Sequence, residues 1–231
     1  MRKALFISDL QIPFEAPGSL RFVQAVAREF KIPKSAIFNV GDEVDSYFGG
    51  MWEKDPDARH TPNSELEAAR RRLAKWYAAF PEMKLAVSNH GQRWARKASH
   101  AGIPSTLLKT YRDILGAPSG WQWRDHWTIS MARAKVHLFH GCGYSGAGAY
   151  RQAALDKGVN VVFGHLHANA GIAHVVTENK KRWGMNVGCL IDTRAYAFAY
   201  GKTAKFKPWL GVGVVVDGGL TPILIPYERM P

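Results

Sequence analysis

A chain of 231 residues, 46% hydrophobic and 22% charged, carries enough apolar material for a sizeable core, which excludes a disordered chain and fits one large α/β domain over 1–231. Its two cysteines, Cys142 and Cys189, exclude a disulfide framework and offer no CxxC pair for a structural zinc, so reduced thiols in a cytoplasm are expected. The excess of 31 Lys+Arg over 19 Asp+Glu, a net charge of +12, creates a field that draws phosphate-rich partners, nucleic acid among them.

In chain order, residues 3–8 (KALFIS) predict a first strand; Asp9 cuts the apolar run too soon for a signal-peptide core or a membrane span, and no membrane partner is expected. Residues 19–30 place Leu20, Phe22, Val23, Val26 and Phe30 near helical spacing behind a Ser19 cap. Residues 36–40 predict a second buried strand. Residues 63–80 predict a helix opened by an S-x-x-E capping pattern from Ser64 to Glu67, with Arg70, Arg71, Arg72 and Lys75 on its solvated face. A third strand is expected at 84–88. The stretch 91–134, with Trp94, Trp121, Trp123 and Trp127, yields only a helix at about 104–115, expected to wall the site.

Strands at 135–140 and 160–164 flank a short helix at 148–157. Beyond residue 170 the segments 171–177, 182–188, 211–216 and 221–226 read as strands, mostly antiparallel, with Asp217-Gly218-Gly219 as a hairpin turn. Strand, helix and strand in alternation argue an α/β layered fold. Lys202, Lys205 and Lys207 interleave with Tyr196, Phe198, Tyr200, Phe206 and Trp209. That mixture can stack on bases while pairing with a phosphate backbone, although the alternation of Tyr196, Phe198 and Tyr200 equally suits one buried face of a strand.

The chemistry sits where the predicted strands end: Asp9 in SDLQ, Asp42 and Asp45 in GDEVD, Asn89 and His90 in SNHG, His140 in HG, and His165 and His167 in GHLH. Open α/β sheets put their ligand sites at such ends. Carboxylate, amide and imidazole donors together suit two divalent metal ions able to clamp a phosphate, with Asp42 as the candidate bridge. An O/N donor set favours manganese, with iron, zinc, nickel or magnesium as alternatives. Any one of these residues alone would be an ordinary turn or core residue; their joint occurrence in order is what points to metal.

The same series resembles the metallophosphoesterase (calcineurin-like phosphoesterase) superfamily, whose blocks run D-x-H, G-D-x-x-D, G-N-H-D/E, H and G-H-x-H, and is closest in pattern to its small phage and prophage members. The resemblance covers Asp9 to His167 and implies a four-layer αββα sandwich of two mixed β-sheets flanked by helices. It implies that Asp9, Asp42 and His167 hold a first metal and Asp42, Asn89, His140 and His165 a second. His90 would be the catalytic imidazole, protonating the leaving oxygen as metal-activated hydroxide attacks phosphorus. Residues 185–189 (MNVGC) resemble the family's N-x-G-S turn.

Two positions depart from the pattern. Gln11 stands where the family has a histidine ligand, and an amide oxygen is a weaker donor to that first metal. Gly91 stands where an acid follows the catalytic histidine, leaving Arg93 either to bind a phosphate oxygen through its bidentate fork or to be a surface arginine. Asp45 is expected to support its loop and not to bind metal. The implied activity is a phosphodiesterase or nuclease acting on a phosphoester substrate. A phosphomonoesterase, or a binding module without turnover, are the alternatives.

Overall fold

Two mixed β-sheets stack face to face in the computed structural model, which describes residues 1–51, 53–195, 197–198 and 204–227. In chain order the strands are β1 (Ala4–Ile7), β2 (Ile37–Asn39), β3 (Met83–Ala86), β4 (Trp121–Arg124), β5 (His126–Ser130), β6 (Lys135–Phe139), β7 (Asn160–Phe163), β8 (Gly171–Thr177), β9 (Lys180–Asn186), β10 (Gly211–Val216) and β11 (Thr221–Pro226). The helices are α1 (Ser19–Glu29), α2 (Pro62–Ala79), α3 (Arg93–His100), α4 (Tyr111–Leu115) and α5 (Ala149–Lys157). One sheet has the order β11-β10-β1-β2-β3-β4 and the other β5-β6-β7-β9-β8. In the first sheet β1, β2, β3 and β4 pair in parallel and β10 and β11 add antiparallel at the β1 side; in the second, β6, β7 and β9 pair in parallel between antiparallel edge strands β5 and β8.

The continuous apolar run of β1 follows from burial on both faces, as parallel strands covered on both sides require. Side chains alternate across a strand. Ala4 and Phe6 therefore join Phe38, Ala86, Trp127, Val136, Leu138 and Met185 between the sheets, while Leu5 and Ile7 face Phe22, Val26, Leu73 and Trp76 of α1 and α2. On the far side of the second sheet, α5 packs Ala149, Ala153 and Ala154 against Val161 and Phe163. The result is helix, sheet, sheet, helix, and each fully buried Leu, Ile or Phe contributes about 1.5–3 kcal/mol.

Local details differ from the sequence expectations. Helix α1 is capped by Gly18 in the left-handed region and makes no side-chain cap; Ser19 is already helical and buried. The capping box of α2 lies three residues earlier than expected, between Thr61 and Ser64: Thr61 Oγ1 accepts from Ser64 N at 3.2 Å, and Ser64 Oγ accepts from Thr61 N at 2.9 Å. Pro62 at the first helical position, where no N–H is needed, fixes that start. The helix expected at about 104–115 is a 3-10 turn at Ser105–Leu107 followed by α4, because Thr110 caps a new start through Asp113 N. Helix α3 and strands β4 and β5, in the Trp-rich stretch, escaped the sequence reading. Trp121 and Trp127 are core residues, 0% and 7% exposed. Phe198 packs with Phe14, Cys189 and Ile191 and lies in no strand, while Tyr196, Tyr200 and Lys202 lie outside the described residues.

Candidate metal centre

The parallel strands β1, β2, β3, β6 and β7 send the loops at their carboxyl ends to one edge of the stacked sheets, and each loop delivers part of the donor set. The loops after β1 and β2 zip together: Asp9 N donates to Gly41 O at 3.0 Å, Gln11 N to Asp42 O at 2.9 Å and Ile12 N to Glu43 O at 3.0 Å. Asp9, Gln11, Asp42 and His165 all hold left-handed backbone, with φ of 48°, 46°, 54° and 67°. Non-glycine residues are uncommon there, and such strain concentrates at functional sites. Gly41, at φ 112°, is required: a Cβ would lie 2.6 Å from His140 Nδ1.

The donors converge. Asp9 Oδ1 lies 2.9 Å from His167 Nε2, and Asp9 Oδ2 accepts from His165 N at 2.9 Å and from the Ser8 hydroxyl. His140 Nδ1 donates to Val40 O at 3.0 Å, turning Nε2 toward Asn89 Oδ1 at 2.7 Å and Asp42 Oδ2 at 3.2 Å. Ligand atoms of Asp9, Asp42 and His140 all lie within 4.8 Å of one another, as do those of His140, Cys142 and His165. Gln11 Nε2 is 3.3 Å from His167 Nε2, and Gln11 Oε1, on a residue 0% exposed, has no hydrogen-bond partner. Asn186 braces the histidine loop by donating to Leu166 O at 2.8 Å and Asn169 O at 3.0 Å.

These residues fit a cation. Two buried carboxylates, Asp9 and Asp42, face each other with imidazoles as the only cationic groups paired with them among the described residues, an arrangement that is costly unless charge is neutralised. His140 Nε2 has two oxygens, Asn89 Oδ1 and Asp42 Oδ2, within 3.2 Å, a convergence a cation would satisfy, and the Gln11 oxygen without a partner among the described residues points to the same need. Burial alone would raise the Asp42 carboxyl, but the neighbouring His140 and His90, with hydrogen bonds from His140 and Ser88, hold it well below the usual range. Burial works against the His140 imidazolium, yet Asp42 and Asp9 push its pKa up to about 9. Asp9 raises His167 in the same way, while burial and the His140 charge lower His165.

Beside this cluster the His90 imidazole lies against Asp45, a neighbour the sequence did not pair with it. His90 Nδ1 lies 2.7 Å from Asp45 Oδ1, and His90 Nε2 lies 3.7 Å from Asp42 Oδ2. The contact is not aligned as a hydrogen bond, so Asp45 stands against the imidazole while its Oδ1 accepts from Arg93; the i, i+3 spacing of the acids in GDEVD was the available signal. Arg93 donates from Nη1 to Asp45 O at 2.7 Å and Asp45 Oδ1 at 3.2 Å, while Nη2 rests 2.8 Å from His90 Nε2. Arg93 thus sits at the centre and not on open surface, 15% exposed at its side chain. Cys142, read in the sequence only as a reduced thiol, stands two residues beyond His140 and reaches the same cluster.

On the Glu43 side of the centre lies a cavity of about 550 Å³, lined by Glu43, Ser88, Gly91, Trp94, Tyr111 and Trp123 among others. Burial raises the Glu43 carboxyl. Helix α3 borders the same cavity through Trp94 and flanks the loop of Asn89: Arg96 donates to Asn89 O at 3.0 Å, and Lys97 donates to Phe48 O at 3.0 Å with its ammonium 5.7 Å above the Trp94 ring.

No family model and no curated protein matches the chain. Among solved structures, a hypothetical protein from Pyrococcus horikoshii OT3 superposes with a TM-score of 0.52 at 11% identity, over 99% of this chain and 90% of that one. The two proteins share a fold. A novel archaeal phosphodiesterase (TM-score 0.47, 11% identity, 96% of this chain and 99% of that one) and Yfce, a phosphoesterase from E. coli (TM-score 0.44, 11% identity, 96% and 99%), are more distant in shape. No helix among the described residues is long and apolar enough to cross a membrane.

Proposed function

We propose that the chain is a metal-dependent phosphoester hydrolase of the calcineurin-like type, one domain over 1–231, acting first of all on phosphodiesters. The observation that carries this reading is the convergence of donors from separate strand ends, Asp9, Asp42 and His140 within 4.8 Å, with the Asp45–His90 pair against them. Asp9, Gln11, Asp42 and His167 would hold one divalent ion, and Asp42, Asn89, His140 and His165 a second. Two such ions supply Lewis-acid neutralisation of a phosphoryl group and acidify water.

The remaining work falls to side chains. With Asp45 Oδ1 2.7 Å from His90 Nδ1, a small rotation of the ring would let Asp45 accept from it, fix the tautomer and leave Nε2 to handle the proton of the leaving oxygen. In the resting state Arg93 Nη2 occupies that nitrogen at 2.8 Å, so His90 acts only after the guanidinium turns away. A phosphoryl oxygen is the natural acceptor for the released N–H groups, which gives Arg93 its part in binding. The basic face of α3, with Arg96, Lys97 and Trp94 beside Asn89, favours a polyanionic diester such as a nucleic-acid strand.

Hydrolysis of a small phosphomonoester is a second reading, favoured by the cavity on the Glu43 side, of a size suited to a small ligand and lined in part by Trp94, Tyr111 and Trp123. A panel of bis-aryl phosphate, mono-aryl phosphate and single-stranded DNA separates the two. We expect cation-dependent cleavage of the diesters that disappears in Asp42→Asn; absence of turnover on the whole panel with manganese, zinc, iron, nickel and magnesium would remove the hydrolase reading.

A further inference from the structure

The turn between β6 and α5 adds to the centre a donor of a different kind. Cys142 lies between Gly141 and Gly143, both left-handed at φ of 113° and 93°, and a Cβ on Gly143 would meet nothing within 4 Å. The turn therefore brings the thiol to the mouth of the site without packing it into the core. Its Sγ is 3.6 Å from Asn89 Oδ1, and with ligand atoms of His140 and His165 it forms a group within 4.8 Å. The His140 and His165 rings stand 5.0 Å apart, and the Val40 carbonyl leaves His140 Nε2 as the atom that faces inward.

We propose that Cys142 is a thiolate ligand of the cation held by Asn89, His140 and His165, so that the two halves of the centre differ in softness. This rests on the metal-centre reading above. One half presents amide, two imidazoles and sulfur; the other presents Asp9, Gln11 and His167, rich in oxygen. Sulfur donors favour zinc, cobalt or cadmium over manganese and magnesium, and oxygen donors the reverse. The sulfur half selects a zinc-like ion, its thiol proton passing to solvent on binding, and the oxygen half remains open to a harder one. Cys189, the other cysteine, is 0% exposed and donates toward Trp209 O at 3.6 Å, so it supplies no competing donor.

The test is cobalt(II) titration of the metal-stripped full chain, followed by absorption, for the wild type and Cys142→Ser. The expected result is a near-ultraviolet sulfur-to-cobalt charge-transfer band in the wild type that is lost in the variant, while the visible cobalt bands remain. Competition with zinc is expected to show an affinity loss of roughly tenfold or more in Cys142→Ser, the scale on which even the partners of metal ligands act, with manganese affinity unchanged. Cobalt bound with no sulfur band, or a band that survives in Cys142→Ser, overturns the thiolate assignment and leaves the centre standing. Failure of the wild type to bind cobalt at all overturns both.

Discussion

The candidate ligands Asp9, Asp42, His140 and His167 were legible because nothing in packing asks for them at the ends of apolar strands, buried or nearly so. Partners were less legible, since Asp45 and Arg93 gain their roles from a fold that brings residues 45, 90 and 93 together. His90→Ala should lower turnover of a bis-aryl phosphate by about 10²–10⁴-fold, the usual worth of a general acid, with Asp45→Asn following in the same direction. Equal rates in wild type and both variants would remove the acid–base pair from the mechanism. Another buried acid acts on stability. Glu65, 4% exposed, accepts from Tyr47 N at 2.7 Å, and burial pushes its carboxyl from 4.5 up to about 7. A raised carboxyl pKa means that the folded state holds the proton more tightly than the unfolded chain. Its stabilising contribution is complete below about 4.5 and is lost as pH rises through about 7. Glu65→Gln should therefore gain on the wild type between pH 5 and 8, by on the order of 3 kcal/mol, read from urea unfolding at each pH. Parallel pH profiles would show that Glu65 titrates normally.

Elements were readable where one face is apolar and continuous. The core strands β1, β2, β3, β6 and β7 announced themselves as short β-branched and aromatic runs, and α1 by its spaced Phe22, Val23 and Val26. Helix α3 did not, because none of its residues is buried and there is no apolar stripe to read. The strands β4 and β5 were hidden by the wide tryptophans and by the single residue, Asp125, that separates them as they pass from one sheet to the other. The contact of α5 with β9 is likewise set by absence of side chain: a Cβ on Gly184 would collide with the backbone carbonyl of Tyr150. Gly184→Ala should cost about 1–3 kcal/mol or more by overpacking. Gly102→Ala, at φ 73° with nothing within 4 Å, should cost only the left-handed backbone strain of about 1 kcal/mol. Thermal or urea unfolding of the pair checks this; an equal loss in both would contradict the close α5 contact.

For the molecule as a whole, the layered architecture followed from alternation of elements, and the stacking of two mixed sheets gives that expectation its observed form. The net charge of +12 was plain in the composition, but its arrangement needed the fold, which sets Arg96 and Lys97 of α3 beside the loop of Asn89. Binding of single-stranded DNA should weaken linearly in log–log plots against salt, with a shallower slope in an Arg96→Ala/Lys97→Ala double variant; a slope unchanged by those substitutions would place the strand elsewhere. The central claim is that the strand-end donors form a two-cation centre joined by Asp42. Anomalous diffraction from crystals grown with manganese or zinc tests it most directly. Two peaks about 3.5–4 Å apart are expected, both ligated by Asp42, one shared with Asp9 and His167 and the other with Asn89, His140 and His165. Peaks only elsewhere, or none against Asp42 in well-ordered crystals, would contradict it.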